Sequence, residues 1–192
     1  MILEGVITTR NADAAAHITP MGFQRHDDTV LIAPFVPSTT LVNLRRDGHA
    51  VMNLTDDVRI IAGCLTGRRE WPVQATSVVE GWRLRDSLTH LELEVTACEE
   101  HDQRPRFTCR VIHEVNHAPF KGFNRAQAAV LEAAILFSRL DWLERDKLAN
   151  NMRYLNIAVS KTAGPRERQA WDWLVTAMAA HPRHHLQLES DT

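Results

Sequence analysis

Ser38, Thr39 and Thr40 place three hydroxyls at the start of a short amphipathic segment that continues LVNL. The first N–H groups of a helix lack intrahelical partners, and the helix dipole favours negative charge there, so this cluster suits a phosphate. The same residues would also serve as an ordinary helix cap. The apolar run TVLIAPF at 29–35 would carry Ala33, Pro34 and Phe35 to the same end of a sheet. Met21 and Gly22 lie on the strand before it, where a missing side chain lets a flat ring approach. A second cluster, Lys121, Asn124 and Arg125 in PFKGFNRA, sets two cations beside a helix start. It would meet a phosphate or an anionic substrate, or act as a solvated loop with an Asn cap.

Other chemistries find less support. The sequence has ten histidines but no HExxH and no Cys/His quartet. His113 and His117 are four apart on a strand rather than a helix, and His181, His184 and His185 fall in a polar tail, so incidental roles and no metal are expected. Cys64, Cys98 and Cys109 are far apart and form no CxxC pair, which reads as small buried hydrophobes in a reducing compartment. No GxGxxG or GxxxxGK[ST] motif occurs. The formal net charge is -2 with no long basic run, so no nucleic-acid footprint is expected. The N-terminal stretch lacks a signal-peptide pattern and no apolar run is long enough to span a bilayer, so a soluble, cytoplasmic protein with no membrane partner is expected.

The elements that must position these residues follow from patterning. Residues 2–10 read as a strand, 11–13 as a turn, and the chain resumes through His17-Ile18-Thr19 as an opening hairpin. Residues 26–28 form a second turn and 29–35 a buried strand. Residues 38–47 form a short helix capped by Ser38 or Thr39 and ended by Gly48. Residues 50–54 form a strand. Thr55 then caps a second short helix with Val58, Ile61 and Leu65 on its apolar face, ended by Gly67. Residues 73–79 form a strand. The run LELEVT at 91–96 alternates as a half-buried strand should, and 107–115 is its hairpin partner after a polar turn. The last third is helical. Asn124 and Gln127 have the spacing of a capping box, with Ala126, Val130, Ala133, Phe137 and Leu140 on one face. Leu148, Met152, Leu155 and Val159 line a second helix. Pro165 opens a third, lined by Trp171, Leu174, Val175 and Met178.

The phrases ILEGVITTRN, ITPMG, PFVPSTTLVNL, VMNLTDDV and PFKGFNRAQAAVLEA, in this order and spacing over residues 2–133, resemble the DUF447 family of the FMN-binding split-barrel (flavin reductase-like) superfamily. The resemblance implies a mainly β fold with α, a Greek-key-like split β-barrel followed by C-terminal helices. It divides the chain into an FMN-binding barrel at 1–120, a helical region packed on the barrel at 121–181, and a polar tail at 182–192. It further implies FMN at a homodimer interface. Thr19, Met21 and Gly22 would border the isoalloxazine ring. Ser38, Thr39 and Thr40 would hold the phosphate, with Asn43 supporting that loop, and Asn53 would sit at the ring's polar edge. The family's glycine-rich turn after TTRN is here Ala12-Asp13-Ala14-Ala15-Ala16.

The activity the resemblance implies is that of an FMN-dependent oxidoreductase on an unknown small molecule, with pterin-linked one-carbon chemistry suggested by the family's occurrence in methanogens and methylotrophs. The flavin would carry the electrons while the protein positions it. A non-catalytic FMN carrier or sensor, or a flavin-free assembly module, are the alternatives.

Overall fold

The computed structural model describes residues 1–184. Its described residues form two compact units, Met1–Asp56 with Arg69–Phe120, and Asp57–Arg68 with the chain from Lys121 onward.

The first unit is a closed antiparallel barrel. Its strands are β1 (Ile2–Arg10), β2 (Ala16–His26), β3 (Thr29–Ile32), β4 (His49–Leu54), β7 (Thr89–Glu99) and β8 (Arg106–Asn116). They close in the order β1-β2-β3-β8-β7-β4, with β4 returning to β1, so no barrel edge is left open. Ile7, Phe23, Val30, Ile32, Ala50, Met52, Leu91, Leu93 and Phe107 fill the interior. Helix α1 (Thr39–Asp47) adds Leu41 and Leu44 to that core. Ser38 caps α1 by accepting from Leu41 N–H at 3.3 Å, and Gly48 ends it at φ 70°, where a side chain would be strained. Gly5 has a packing reason. A Cβ there would lie 2.8 Å from Met52 Sδ and 3.0 Å from Phe23 Cε1, inside the filled barrel.

A small hairpin, β5 (Val73–Ala75) and β6 (Trp82–Leu84), forms a separate two-stranded sheet. Patterning predicts one strand over 73–79, but pairing stops at Ala75, and Thr76 N–H turns back to Gly81 O at 3.2 Å. This hairpin is a strap bonded to the outward-facing side chains of the barrel. Thr8 Oγ1 donates to Trp82 O at 2.5 Å, Leu84 N–H donates to Asn53 Oδ1 at 2.7 Å, and Trp82 Nε1 donates to Ala14 O at 2.8 Å. Residues 5–9 of β1 are consequently all buried, covered by the core on one face and engaged by the strap on the other. Strand β3 ends at Ile32, three residues before the expected 35. The chain then runs through a cis Val36–Pro37 bond into α1.

The second unit contains α2 (Val58–Leu65), α3 (Arg125–Phe137), a 3₁₀ turn (Leu140–Trp142), α4 (Arg145–Thr162) and α5 (Pro165–Ala179). A continuous barrel domain at 1–120 would include helix α2, but α2 packs against α3 and α5 and belongs to this unit. Its cap is Asp57, not Thr55. The Asp57 carboxylate accepts from Arg59 N–H at 3.1 Å and pairs with the Arg59 guanidinium at 2.6 Å. Thr66, ahead of Gly67, is the C-terminal cap. The apolar faces of α3 and α4 are largely as expected, but Phe137 and Leu155 are only partly buried and Leu140 lies in the 3₁₀ turn. Asn124 caps α3, accepting from Ala126 N–H at 2.7 Å and Gln127 N–H at 3.3 Å. The reciprocal half of a capping box is absent, because Gln127 Nε2 donates to Glu167 Oε1 at 3.1 Å. No helix among the described residues is long and apolar enough to cross a membrane. Of the expected tail, residues 185–192, including His185, lie outside the described residues.

Candidate functional site

The hydroxyl cluster stands at the N-terminus of α1, as its spacing suggests. By helix geometry the Thr39 and Thr40 N–H groups precede the first ladder bond, Val42 N–H to Ser38 O at 3.2 Å. Ser38 is half-buried and Thr39 exposed, while the Thr40 side chain is buried at 2% exposure. The accessible hydroxyls are therefore those of Ser38 and Thr39. The loop before α1 is held by the β7–β8 turn. Val36 N–H donates to Gln103 O at 2.9 Å, and Arg104 donates through Nη2 to Ala33 O at 2.9 Å. The Arg104 guanidinium also covers the Phe35 ring, 4.4 Å from its centroid. That cation–π contact leaves Phe35 62% exposed, with Val36 and Val42 exposed beside the first turn of α1.

Thr19, Met21 and Gly22 lie on β2, each half-buried, opposite Ile7, Gly5 and Glu4 of β1. A Cβ on Gly22 would touch Glu4 Oε1 and Ile2 Cγ2, each at 3.4 Å, an ordinary contact. Asn43 is buried on α1. Its Nδ2 donates to Thr9 Oγ1 at 3.0 Å and Asn11 Oδ1 at 3.2 Å, tying α1 to the end of β1. Asn53 is 0% exposed. Its Nδ2 donates to Val6 O at 3.0 Å and Thr8 Oγ1 at 3.1 Å, while its Oδ1 takes the Leu84 N–H. Both ends of this amide are bonded to β1 and β6, where it seats the strap.

Lys121, Asn124 and Arg125 belong to the helical unit. Asn124 is a working cap, and its Nδ2 also donates to Thr162 O at 3.2 Å. Lys121 and Arg125 are exposed. Arg125 opens a shallow groove between α3 and α4 whose other walls include Ala128, Tyr154 and Ile157.

Alternation on β7 was legible, but its consequence was not. Leu91 and Leu93 enter the barrel core; His90 and Glu92 face the other way and are still buried, at 2% and 0% exposure. The 76–81 turn of the strap covers Glu92. Glu92 Oε1 accepts Ser77 N–H at 2.9 Å, and Oε2 accepts Val78 and Val79 N–H at 2.8 and 2.7 Å. Burial alone would push this carboxyl up; the three N–H groups and His90 outweigh it and hold it below the usual range. His90 Nε2 lies 3.4 Å from Glu92 Oε1, and His90 Nδ1 lies 2.8 Å from His117 Nε2. Burial lowers the His90 pKa, partly opposed by Glu92, and burial with the nearby Arg83 lowers that of His117. His113 sits directly across from Glu92 in the β7–β8 ladder. The signal for this cluster was His-x-Glu on one strand and a histidine at the cross-strand position; only the hairpin register joins them. Of the cysteines, Cys64 and Cys109 are buried, with the Cys109 thiol pushed up to about 12 by burial. Cys98 is exposed, contrary to the expectation that all three are buried.

The closed antiparallel barrel has the fold of the FMN-binding split-barrel flavin reductases. It is matched by the styrene monooxygenase flavin reductase of Pseudomonas putida at TM-score 0.51 and 16% identity, over 62% of this chain and 83% of that one. An FMN-binding protein from Thermus thermophilus with bound p-hydroxybenzaldehyde matches at TM-score 0.53 and 13% identity, over 63% and 75%. More extensive is the match to an FMN-bound DUF447 protein from Methanosarcina mazei, at TM-score 0.80 and 17% identity, over 92% of this chain and 94% of that one. Residues 3–118 match the model of the DUF447 N-terminal domain, a protein of unknown function, and residues 124–176 match its C-terminal counterpart. The chain belongs to the DUF447 family.

Proposed function

We propose that this protein binds FMN and acts as an FMN-dependent oxidoreductase of the flavin reductase type. The observation that carries the reading is the FMN-bound family member, alike in fold over nearly the whole chain. The residues present fit the group. The N-terminus of α1 offers outward N–H groups, the dipole, and the accessible hydroxyls of Ser38 and Thr39 for a phosphate. On β2, Met21 packs against the barrel core on the face that carries Phe23, whereas Gly22 lies on the other face; Gly22 and Phe35, an exposed aromatic next to α1, are the members of this set suited to a flat ring. Within the helical unit, Lys121 and Arg125 are exposed cations suited to an anionic ligand. When bound, the flavin supplies the electron-transfer chemistry; the chain's part is to hold and orient it and to limit water. The exposed apolar side chains Phe35, Val36 and Val42 support a homodimer whose interface lies beside the cofactor. The substrate is an unknown small molecule, and the suggestion of pterin-linked chemistry rests on the family's occurrence in methanogens and methylotrophs.

The test is the absorbance spectrum of the purified protein, followed by reduction trials with NADH, NADPH and a reduced pterin. Flavin bands and donor-dependent bleaching are expected. A colourless protein that takes up no FMN on titration contradicts the cofactor assignment; bound FMN that no donor reduces favours a carrier. Thr39→Ala removes an exposed hydroxyl without touching the core. Loss of one charge-assisted hydrogen bond is worth about 1.5–3 kcal/mol, so FMN affinity should fall roughly ten-fold or more.

A further inference from the structure

We propose that His90, Glu92 and His113 bind one divalent transition-metal ion of the zinc class, on the outer face of the barrel beneath the strap. Each of the three offers a ligand atom, and these atoms all lie within 4.8 Å of one another. Two imidazoles and a carboxylate form a donor set of the kind zinc takes, and bonds of about 2.0–2.2 Å are reached if the side chains close inward. His113, half-buried, has the freedom to make most of that movement.

The surroundings are those of a built ligand set. Glu92 is held as a carboxylate by three backbone N–H groups. Only one of them bonds Oε1, the oxygen that faces His90, so Oε1 retains lone-pair capacity. His117 Nε2 meets His90 Nδ1 at 2.8 Å with the two rings nearly parallel, 11° apart. If His90 donates through Nδ1–H to His117, its Nε2 lone pair points at the Glu92 oxygen, and two acceptors face each other at 3.4 Å. A cation between them resolves that opposition. A metal-bound histidine commonly donates its other N–H to an acceptor that fixes the ring, which is the place His117 occupies. The opposite tautomer closes the same contacts with protons alone. Metal binding would join β7 to β8 and, through the Glu92 contacts with residues 77–79, fasten the strap.

The experiment uses the full-length protein, treated with chelator and then freed of it, titrated with Co²⁺ by visible absorbance and with Zn²⁺ by calorimetry. The expected result is one Co²⁺ per chain with tetrahedral d–d bands, displacement by Zn²⁺, and a higher thermal midpoint with Zn²⁺. His113→Ala should weaken binding at least ~100-fold and abolish the thermal shift, and His113→Cys should restore a tetrahedral spectrum. His117→Ala, at an exposed position, should weaken binding roughly 10–100-fold. It serves as the second variant if His113→Ala does not fold. His101→Ala, away from the cluster, should leave binding unchanged. Absence of stoichiometric binding at micromolar metal, or binding that survives His113→Ala and His117→Ala unaltered, overturns the site and leaves the proton-closed network.

Discussion

Asn53→Ala separates the two roles that this residue can hold. In the structure its Oδ1 takes the Leu84 N–H at 2.7 Å, and its Nδ2 serves Val6 O and Thr8 Oγ1. Leu84 is 1% exposed, so its N–H would be stranded away from water. A stranded buried donor costs about 1–3 kcal/mol, and two acceptors each losing one bond add roughly 0.5–1 kcal/mol apiece. The sum is about 3 kcal/mol, before any term for the small void left behind. For a chain of this length that corresponds to a fall in thermal midpoint of roughly 6–12 °C. The loss should begin in the strap, because Leu84 belongs to β6. Urea denaturation gives the stability change, and amide hydrogen exchange should show Leu84 losing protection before the barrel strands do. FMN affinity, measured well below the transition, should stay within about two-fold. Stability unchanged within ~0.5 kcal/mol, with FMN affinity greatly reduced, would refute the reasoning and return Asn53 to the cofactor.

Three further perturbations probe other links. Ala14 sits at φ 66° in the first turn, where the left-handed conformation costs an alanine roughly 1–2 kcal/mol, so Ala14→Gly should stabilise by about 0.5–1 kcal/mol in urea titration after glycine's own entropy cost. Gly5→Ala drives a methyl against Met52 and Phe23 and should destabilise by about 1–3 kcal/mol, read as a lower urea midpoint with unchanged slope. The Arg25 fork on Glu114, at 3.1 and 2.8 Å, holds that carboxyl below its usual range, chiefly through the hydrogen bonds to Arg25. A depressed carboxyl contributes stability above its unfolded pKa and loses it as pH falls through the folded one. The difference between the protein and Glu114→Gln should therefore be no more than ~1 kcal/mol at pH 7, given the exposure of both partners, and should vanish on acidification through and below the ordinary carboxylate pKa of about 4.3.

The barrel strands and α1 were legible because their patterns are local. TVLI, HAVMNL and the alternation of LELEV carry strand periodicity, and Ser38 and Gly48 carry helix punctuation. The strap was legible only as a single strand over 73–79. Trp71, Val73 and Ala75 alternate, but the turn after Ala75 and the return strand Trp82–Leu84 are ordered by backbone groups bonding Thr8, Asn53 and Glu92 of distant strands, which no local pattern reports. For the same reason Glu92 reads from sequence as a solvent-facing residue, while the fold buries it completely. The allegiance of α2 was equally hidden. Its apolar face is plain in VRIIAGCL, but periodicity does not name the surface that receives it, and that surface is α3 with α5. At the proposed phosphate site the hydroxyl cluster was visible, whereas the burial of Thr40 depends on how α1 seats in the barrel.

The N-terminus of α1 is proposed to receive the phosphate of a flavin. Calorimetric titration of the flavin-free protein with FMN and with riboflavin, side by side, tests it most directly, since the two ligands differ only in that phosphate. FMN should bind at least ten-fold more tightly, the advantage of about 1.5–3 kcal/mol that one charge-assisted hydrogen bond confers, and Thr39→Ala should narrow the gap from the FMN side alone. Equal affinities for the two ligands, or a preference for FMN untouched by Thr39→Ala, would contradict it.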